Sequence, residues 1–318
     1  SYREALEHVE AALTINPGAY WGHALLAFIY NGLGNRDATF AALRTCQALA
    51  PREPLLWTVR GFFLREYGQF ESAHEALERA LRYGPNDPLA RLIRADLRLR
   101  LGRIDWQRDL DSAADVVTPP VNTWDYFVLA LVALYKNDTE YAIEFVRAAQ
   151  KRSPGMPQLY GLEASILMRR REFASAEKLL RKALDMAPND PRLAESLLSL
   201  LVHQHRYGEA RLKFLSDEEL RPGAATPSVL LLAARAFAGS SPDDPPDYQQ
   251  AMTLLFKAAR SGVLAQVEVD EAAEFAGMRA KPDFERIRAL LRAGPPVPRL
   301  FQPAIGDLPS PAAPSSPN

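Results

Sequence analysis

The sequence carries a single cysteine, Cys46, among 318 residues. That excludes an intrachain disulfide and any metal site built from several thiolates. No apolar stretch reaches the roughly 18 to 20 residues that a bilayer crossing requires. The richest run, Val128 to Tyr135, is less than half as long. Charge of one sign is missing as well. Lysines and arginines number 38 against 39 acids, a formal net charge of -1, so no general attraction to nucleic acid or an anionic lipid surface is expected. Catalytic signatures are equally scarce. The sequence holds no Walker A motif, nucleophile elbow, HExxH or kinase catalytic loop. Gly32-Leu33-Gly34 follows no strand, and His203-Gln204-His205 is a lone pair short of a zinc ligand set. Neither an enzyme nor a cofactor or metal is expected from this stretch.

What the sequence does have is ample apolar material, 47% of residues, and a period. Pro17, Pro51, Pro85 and Pro119 fall 34 residues apart, as do Pro154, Pro188 and Pro222, with one extra residue between Pro119 and Pro154. Each follows one helix-like stretch and precedes another, as a helix terminator should. Small residues keep the same register. Ala5, Ala73, Ala142, Ala176 and Ala210 sit twelve before their prolines; Ala12, Cys46, Ala80, Ala114, Ala149 and Ala183 sit five before. Phe70, Phe173, Tyr207 and Tyr248 open the second helices, and Gly34, Gly68 and Gly102 turn the chain within a pair. Closely packed helices need small residues where backbones approach and large ones where they diverge.

This register resembles the tetratricopeptide repeat family, with its pattern W-x2-L-G-x2-Y…A-x3-F…A…P. The closest copies run from Pro54-Leu55-Leu56-Trp57 to Pro85 and from Pro157 through Phe173, Ala176 and Ala183 to Pro188. The linkers Tyr83–Pro88 (YGPNDP) and Met186–Pro191 (MAPNDP) are of the family type. The resemblance covers roughly residues 1 to 260. It implies an all-α fold, an α-solenoid in which antiparallel helix pairs stack into a right-handed superhelix, here with about seven repeats in residues 1–262 and a helical cap in residues 263–293. Pro, Ala and Ser dominate residues 294–318, a composition that reads as a disordered tail, in which Arg299-Leu300-Phe301 is a candidate docking motif. Two departures stand out. Arg91, Arg94 and Arg98 fall where the family places core residues, and Asp111 replaces a large apolar one, so the third repeat reads as slipped by a residue.

In this family the second, fifth, ninth and twelfth residues of each first helix line the concave face. Carried over by phase, that groove takes Trp21, Phe28, Leu55, Phe62, Arg65, Trp124, Phe127 and Leu131. It is apolar and aromatic over four repeats, then polar over two, through Gln158 and Arg192. The implied function is a scaffold that grips an apolar or amphipathic segment of a protein or peptide partner. The competing reading makes these side chains core, either in a superhelix that closes on itself or under an upstream helix that packs there. Family members that clamp a C-terminal carboxylate use Lys and Asn where this sequence has Ala24, Phe28 and Val59, which speaks against that ligand. Arg91, Arg94 and Arg98 form a candidate site for an acidic partner, or else a face crossed by ion pairs with interleaved aspartates.

Residues 2 to 17 read as a second helix without its mate, and Ser1-Tyr2-Arg3-Glu4 is neither an initiator methionine nor a signal peptide. The expectation is a C-terminal part of a longer bacterial protein. Two rivals to the scaffold reading stay open on that account: the regulatory repeat region of a serine/threonine protein kinase, with an upstream domain of the same chain as partner, or an envelope or secretion assembly protein. The unpaired cysteine favours a reducing, cytoplasmic setting.

Overall fold

The computed structural model describes residues 2–33, 35–217, 220, 226–240, 245–260, 264 and 266–293. The tail motif at Arg299-Leu300-Phe301, Gly34 and Pro222 lie outside these residues. Among them every regular element is helical. A first helix, α1 (Tyr2–Ile15), packs on α2 (Tyr20–Gly32). From there the chain runs in antiparallel pairs: α2 with α3 (Arg36–Leu49), α4 (Pro54–Glu66) with α5 (Phe70–Tyr83), and α6 (Pro88–Arg100) with α7 (Trp106–Val116). Next come α8 (Thr123–Tyr135) with α9 (Thr139–Arg152), α10 (Pro157–Arg169) with α11 (Phe173–Met186), and α12 (Pro191–His203) with α13 (Tyr207–Ser216). The pair α14 (Pro227–Ala238) and α15 (Tyr248–Ala259) ends the series. Beyond it come α16 (Gln266–Glu271), a 3-10 turn (Ala273–Met278) and α17 (Pro282–Ala293): the turn packs on α14, α17 packs on α15 and α16 on α17, and Phe275, Met278, Phe284 and Ile287 are fully buried. The result is the α-solenoid expected from the sequence.

The small-residue register sets how closely the pairs pack. Cys46, Ala73, Ala80, Ala142, Ala149, Ala176, Ala183 and Ala210 have no exposed surface, whereas Ala114 is half-buried and Ala12 exposed. Gly61 in α4 takes this furthest, because a Cβ there would stand 2.7 Å from Leu77 Cγ of α5. Cys46 belongs to this packing, and burial pushes its thiol above the ordinary value. The third pair departs from the expected phase. Leu110 and Ala113 fill the core, and Asp111 points outward to Lys136 at 2.6 Å. The residue expected to replace a core apolar group is thus a surface one, because α7 starts late and is short, at 11 residues.

One connection recurs within the pairs. Gly68, Gly102, Asn137, Arg171 and His205 all have φ between 58 and 71°, and they fall at the repeat spacing. The next residue's N–H reaches back five residues, as in Gln69 to Leu64 (2.8 Å), Asp138 to Ala133 (2.8 Å) and Glu172 to Leu167 (2.9 Å). This is the 6→1 bond of a Schellman ending, which satisfies a terminal carbonyl only if one residue turns left-handed. The sequence shows glycine in three repeats only; in the others Asn, Arg and His carry the strain of a Cβ at positive φ.

The PNDP linkers have a physical reason too. Asp87 Oδ1 accepts from the N–H groups of Leu89 and Ala90 at the start of α6, while Oδ2 accepts from the buried Thr58 hydroxyl of α4 at 2.7 Å. One carboxylate caps a helix and fastens it to the preceding pair. Asp190 caps α12 in the same way, through Arg192 and Leu193.

Two outcomes are expected in urea denaturation. Arg171→Gly, at an exposed left-handed position, raises stability by about 1 kcal/mol. Asp87→Ala lowers it by about 1–2 kcal/mol, and Asp87→Asn by about half of that or less, since an amide oxygen still caps.

Candidate functional site

The side on which alternate helices approach one another is the inside of the curve. First helices do so: α4 meets α6, α6 meets α8, α10 meets α12 and α12 meets α14, while no two second helices come comparably close. The inner face is therefore built from α2, α4, α6, α8, α10, α12 and α14. On it the second residue of each first helix from α2 to α12 forms a row: Trp21, Leu55, Leu89, Trp124, Gln158 and Arg192.

Four of the eight expected groove residues remain accessible. Trp21 is 56% exposed, Leu55 53%, Trp124 46% and Phe28 41%. Trp124 stacks on Phe127, with ring centroids 5.1 Å apart and planes 19° off parallel. Phe127 and Leu131 are half-buried and rest on the core beneath. Phe28 and Phe62 flank the fully buried Phe63, with centroids 4.9 and 5.3 Å away. Aromatic rings thus reach the surface from a rigid aromatic base, and offset pairs of this kind contribute about 0.5–1.5 kcal/mol beyond area burial.

Deeper in the groove the chemistry turns ionic. Asp96 of α6 is buried, and its Oδ2 accepts from Arg65 Nη1 of α4 and Arg100 Nε, both at 2.9 Å. Burial works against the Arg65 guanidinium, yet Glu66 and Asp96 together hold its pKa above the ordinary value. Tyr135 of α8 faces the same carboxylate, and burial first, then Asp96, push its phenol well above the usual range. Arg169 of α10 donates to the carbonyl of Leu134 at 2.8 Å. Carried over by phase, the sequence places Arg65 and also Asp96, the ninth residue of α6, in the groove, but not Arg100, Tyr135 or Arg169 as their companions. The available signal was an aspartate in mid-helix with an arginine four residues on, and another at the end of the preceding first helix.

The groove is also crossed. Arg192 of α12 lies 5.7 Å from the Phe62 ring of α4, although 130 residues separate them. Arg65 covers the same ring at 5.2 Å. Nearby, the Glu195 carboxyl of α12 is raised above the ordinary value, by burial and then by Glu66 of α4. The second and sixth pairs therefore face each other, and the superhelix narrows there. Phe62 is half-buried between two core clusters and two guanidiniums, a different setting from the open Trp21 and Trp124.

The candidate acidic-partner arginines are engaged within the chain. Arg94 grips Asp109 with Nε at 2.9 Å and Nη2 at 2.6 Å and also reaches Glu78. Arg98 pairs with Asp105 at 3.0 Å and Asp109 at 3.1 Å. Arg91 donates to the carbonyl of Pro85 at 2.7 Å. The buried Asp109, 2% exposed, is the focus of this cluster, which ties α6 to α5 and α7. Both histidines of the HxH pair have neighbours in the chain: His203 Nδ1 lies 2.7 Å from the carbonyl of Ser199, and His205 Nδ1 2.6 Å from the Tyr207 hydroxyl.

A raised carboxyl weakens the fold above its own pKa and ceases to do so as pH falls through that value toward the ordinary carboxylate range. Glu195→Gln is accordingly expected to stabilise the array at pH 7 to 8, with the gain fading on acidification. A urea-midpoint series against pH reads this directly; a gain that persists at pH 4 contradicts the assignment.

Residues 64–117 and 162–225 match the model of the tetratricopeptide repeat family. No curated protein matches the chain. Among solved structures, a chain of the APC/C hetero-tetramer Cut9-Hcn1 superposes with a TM-score of 0.53 at 12% identity, covering 92% of this chain and 52% of that one. This chain therefore spans about half the length of that relative. A tetratricopeptide repeat protein of Parabacteroides merdae aligns with a TM-score of 0.45 at 16% identity over 86% of this chain and 97% of its own. A thermophilic one from Thermus thermophilus aligns at 0.44 and 25% identity over 53% of this chain and 92% of its own. Such proteins mediate protein–protein interaction. No helix among the described residues is long and apolar enough to cross a membrane. The helix pairs within residues 64–117 and 162–225 are tetratricopeptide repeats, in a chain that is helical and paired in the same way throughout its described residues.

Proposed function

We propose that the array is a protein-interaction scaffold whose inner face holds an apolar or amphipathic segment of a partner protein, with Trp21, Phe28, Leu55, Trp124 and Phe127 as anchors. One observation carries this reading: large apolar side chains at equivalent inner positions of α2, α4 and α8 stay exposed, although the core around them is closed. Scattered surface leucines need no explanation, but a row of tryptophans and a phenylalanine along one concave face does. Rings held on a rigid base lose little entropy on binding, and for that reason aromatic residues dominate interface hot spots.

Phe62, Arg65 and Leu131 take a supporting role in this proposal. Phe62 sits under Arg65 and Arg192, so it shapes the narrow part of the channel while the open rings make first contact. The Arg65–Asp96–Arg100 cluster fixes that floor and offers polar groups to the backbone of an entering segment. Arg91, Arg94 and Arg98 serve the α6–α7 packing, because their carboxylate and carbonyl partners are already in place.

Because Trp21 and Trp124 are about half exposed, their replacement by alanine changes stability by no more than about 1 kcal/mol, checked by urea denaturation. The same double variant should weaken a captured partner by at least about tenfold, read by titration against the purified partner. Undiminished binding by a folded Trp21→Ala, Trp124→Ala variant would sink the proposal.

A further inference from the structure

We infer that Arg44, Gln47, Arg60 and Arg79 form a second docking site, away from the groove, that takes the carboxylates of an acidic segment of a partner protein. Trp57 and Arg60 stand two and five residues beyond Leu55 in α4, which turns them to the far side of that helix from the inner row. There Arg60 Cζ lies 6.0 Å and Arg79 Cζ of α5 4.9 Å from the centre of the Trp57 ring. Arg60 Nη1 donates to Gln47 Oε1 of α3, and the Gln47 amide nitrogen is buried without a hydrogen-bond partner. Arg44, three residues before Gln47, is exposed, and so is Arg79. Burial lowers the Arg60 pKa, and Arg79 and then Arg44 lower it further. Three like charges therefore gather around one ring and one unsatisfied amide.

Another copy of the same arrangement supplies the missing charge. Three pairs further along, Arg147, Gln150, Tyr160 and Lys182 stand at the positions of Arg44, Gln47, Trp57 and Arg79, each 103 residues on. Trp57 Nε1 donates to the carbonyl of Pro51 at 2.9 Å, and the Tyr160 hydroxyl to that of Pro154 at 3.0 Å. Lys182 Nζ lies 4.3 Å from the centre of the Tyr160 ring, as Arg79 covers Trp57. One position differs. Where α4 has Arg60, α10 has the buried Glu163, which accepts from Arg147 Nε at 2.8 Å and from Gln150 Nε2 at 2.9 Å. The α5–α6 step is balanced in the opposite sense, since Arg94 at the Arg60 position reaches Glu78 at the Arg44 position. Among the described residues Arg44, Arg60 and Arg79 enter no ion pair. Arginine and glutamine thus hold a carboxylate in the α10 copy, and the same donors await one in the α4 copy. Guanidinium forks match carboxylates in shape and charge, and three of them call for more than one.

The test uses the full chain at low ionic strength, with a fluorescein-labelled hexaglutamate peptide as probe, read by anisotropy. Wild type should bind this probe and not its hexaglutamine counterpart. Arg60→Glu supplies the carboxylate from within, as Glu163 does in the other copy. It should weaken the probe by about tenfold or more while raising the urea midpoint. Arg44→Ala with Arg79→Ala, both at exposed positions, should weaken the probe as much. Lys178→Glu, the same charge change at an exposed position of α11, should bind as wild type does. Absence of binding to wild type overturns the inference, as does equal binding by the Arg60→Glu or the double alanine variant. An equal loss in Lys178→Glu overturns it by reducing the effect to net charge, and binding of inorganic phosphate without the peptide does so by making the site one for a small anion. None of these variants touches Trp21 or Trp124, so the groove reading stands or falls separately.

Discussion

The distance at which two helices of a pair can pack sets everything else in this molecule. Alanine at 73, 80, 142, 149, 176, 183 and 210, all without exposed surface, lets the second helix lie close on the first. Large side chains at the ends, such as Phe70 and Tyr207, then wedge the pair open toward the next. A constant offset between tight and wide ends is what curves a stack of pairs. Curvature brings the first helices together on one side, and that side becomes the groove. The inner face is thus a consequence of packing at buried residues that do not line it.

Carboxylates hold the register of this stack. Asp87 joins a helix cap to the previous pair, Asp109 gathers Arg94 and Arg98 between α6 and α7, and Asp96 links the inner ends of α4 and α6 through Arg65 and Arg100. Buried ion pairs offset their desolvation only with good geometry, and their net contribution is small compared with the loss when one partner is removed. Their value here is positional, since an aspartate with two fixed guanidiniums tolerates one arrangement of neighbouring helices. Arg211, buried with its guanidinium on the carbonyls of Ala236, Gly239 and Pro245, closes the end of α14 in the same manner.

The inner face combines two kinds of surface as a result. Toward the N-terminal pairs it is aromatic and open; at the level of α4 and α12 it narrows, with Phe62 between Arg65 and Arg192. The competing views of these residues as partner anchors or as core therefore divide along the groove. Trp21, Phe28, Leu55 and Trp124 are accessible, while Phe62, Phe127 and Leu131 are largely supported from below. Which side chain takes which part follows from the superhelical path.

The repeat length, the pairing of helices, the alanine register and the identity of the concave face were all legible in the chain, because each depends on residues a few turns apart in a pattern copied several times. The left-handed turn at Gly68 and Gly102 was legible as glycine, but Asn137, Arg171 and His205 hide the same conformation, since a hydrogen bond at the helix end outweighs the strain of a Cβ. The phase of the third pair was not, as Asp109 and Asp111 look alike in sequence and only the packing of Leu110 and Ala113 shows which is inside. What the tertiary structure alone decided was the company each groove residue keeps. Arg65 meets Asp96 and Phe62 meets Arg192 over separations of 31 and 130 residues, set by accumulated rotation between pairs, a quantity to which every interface adds a little and no single motif encodes.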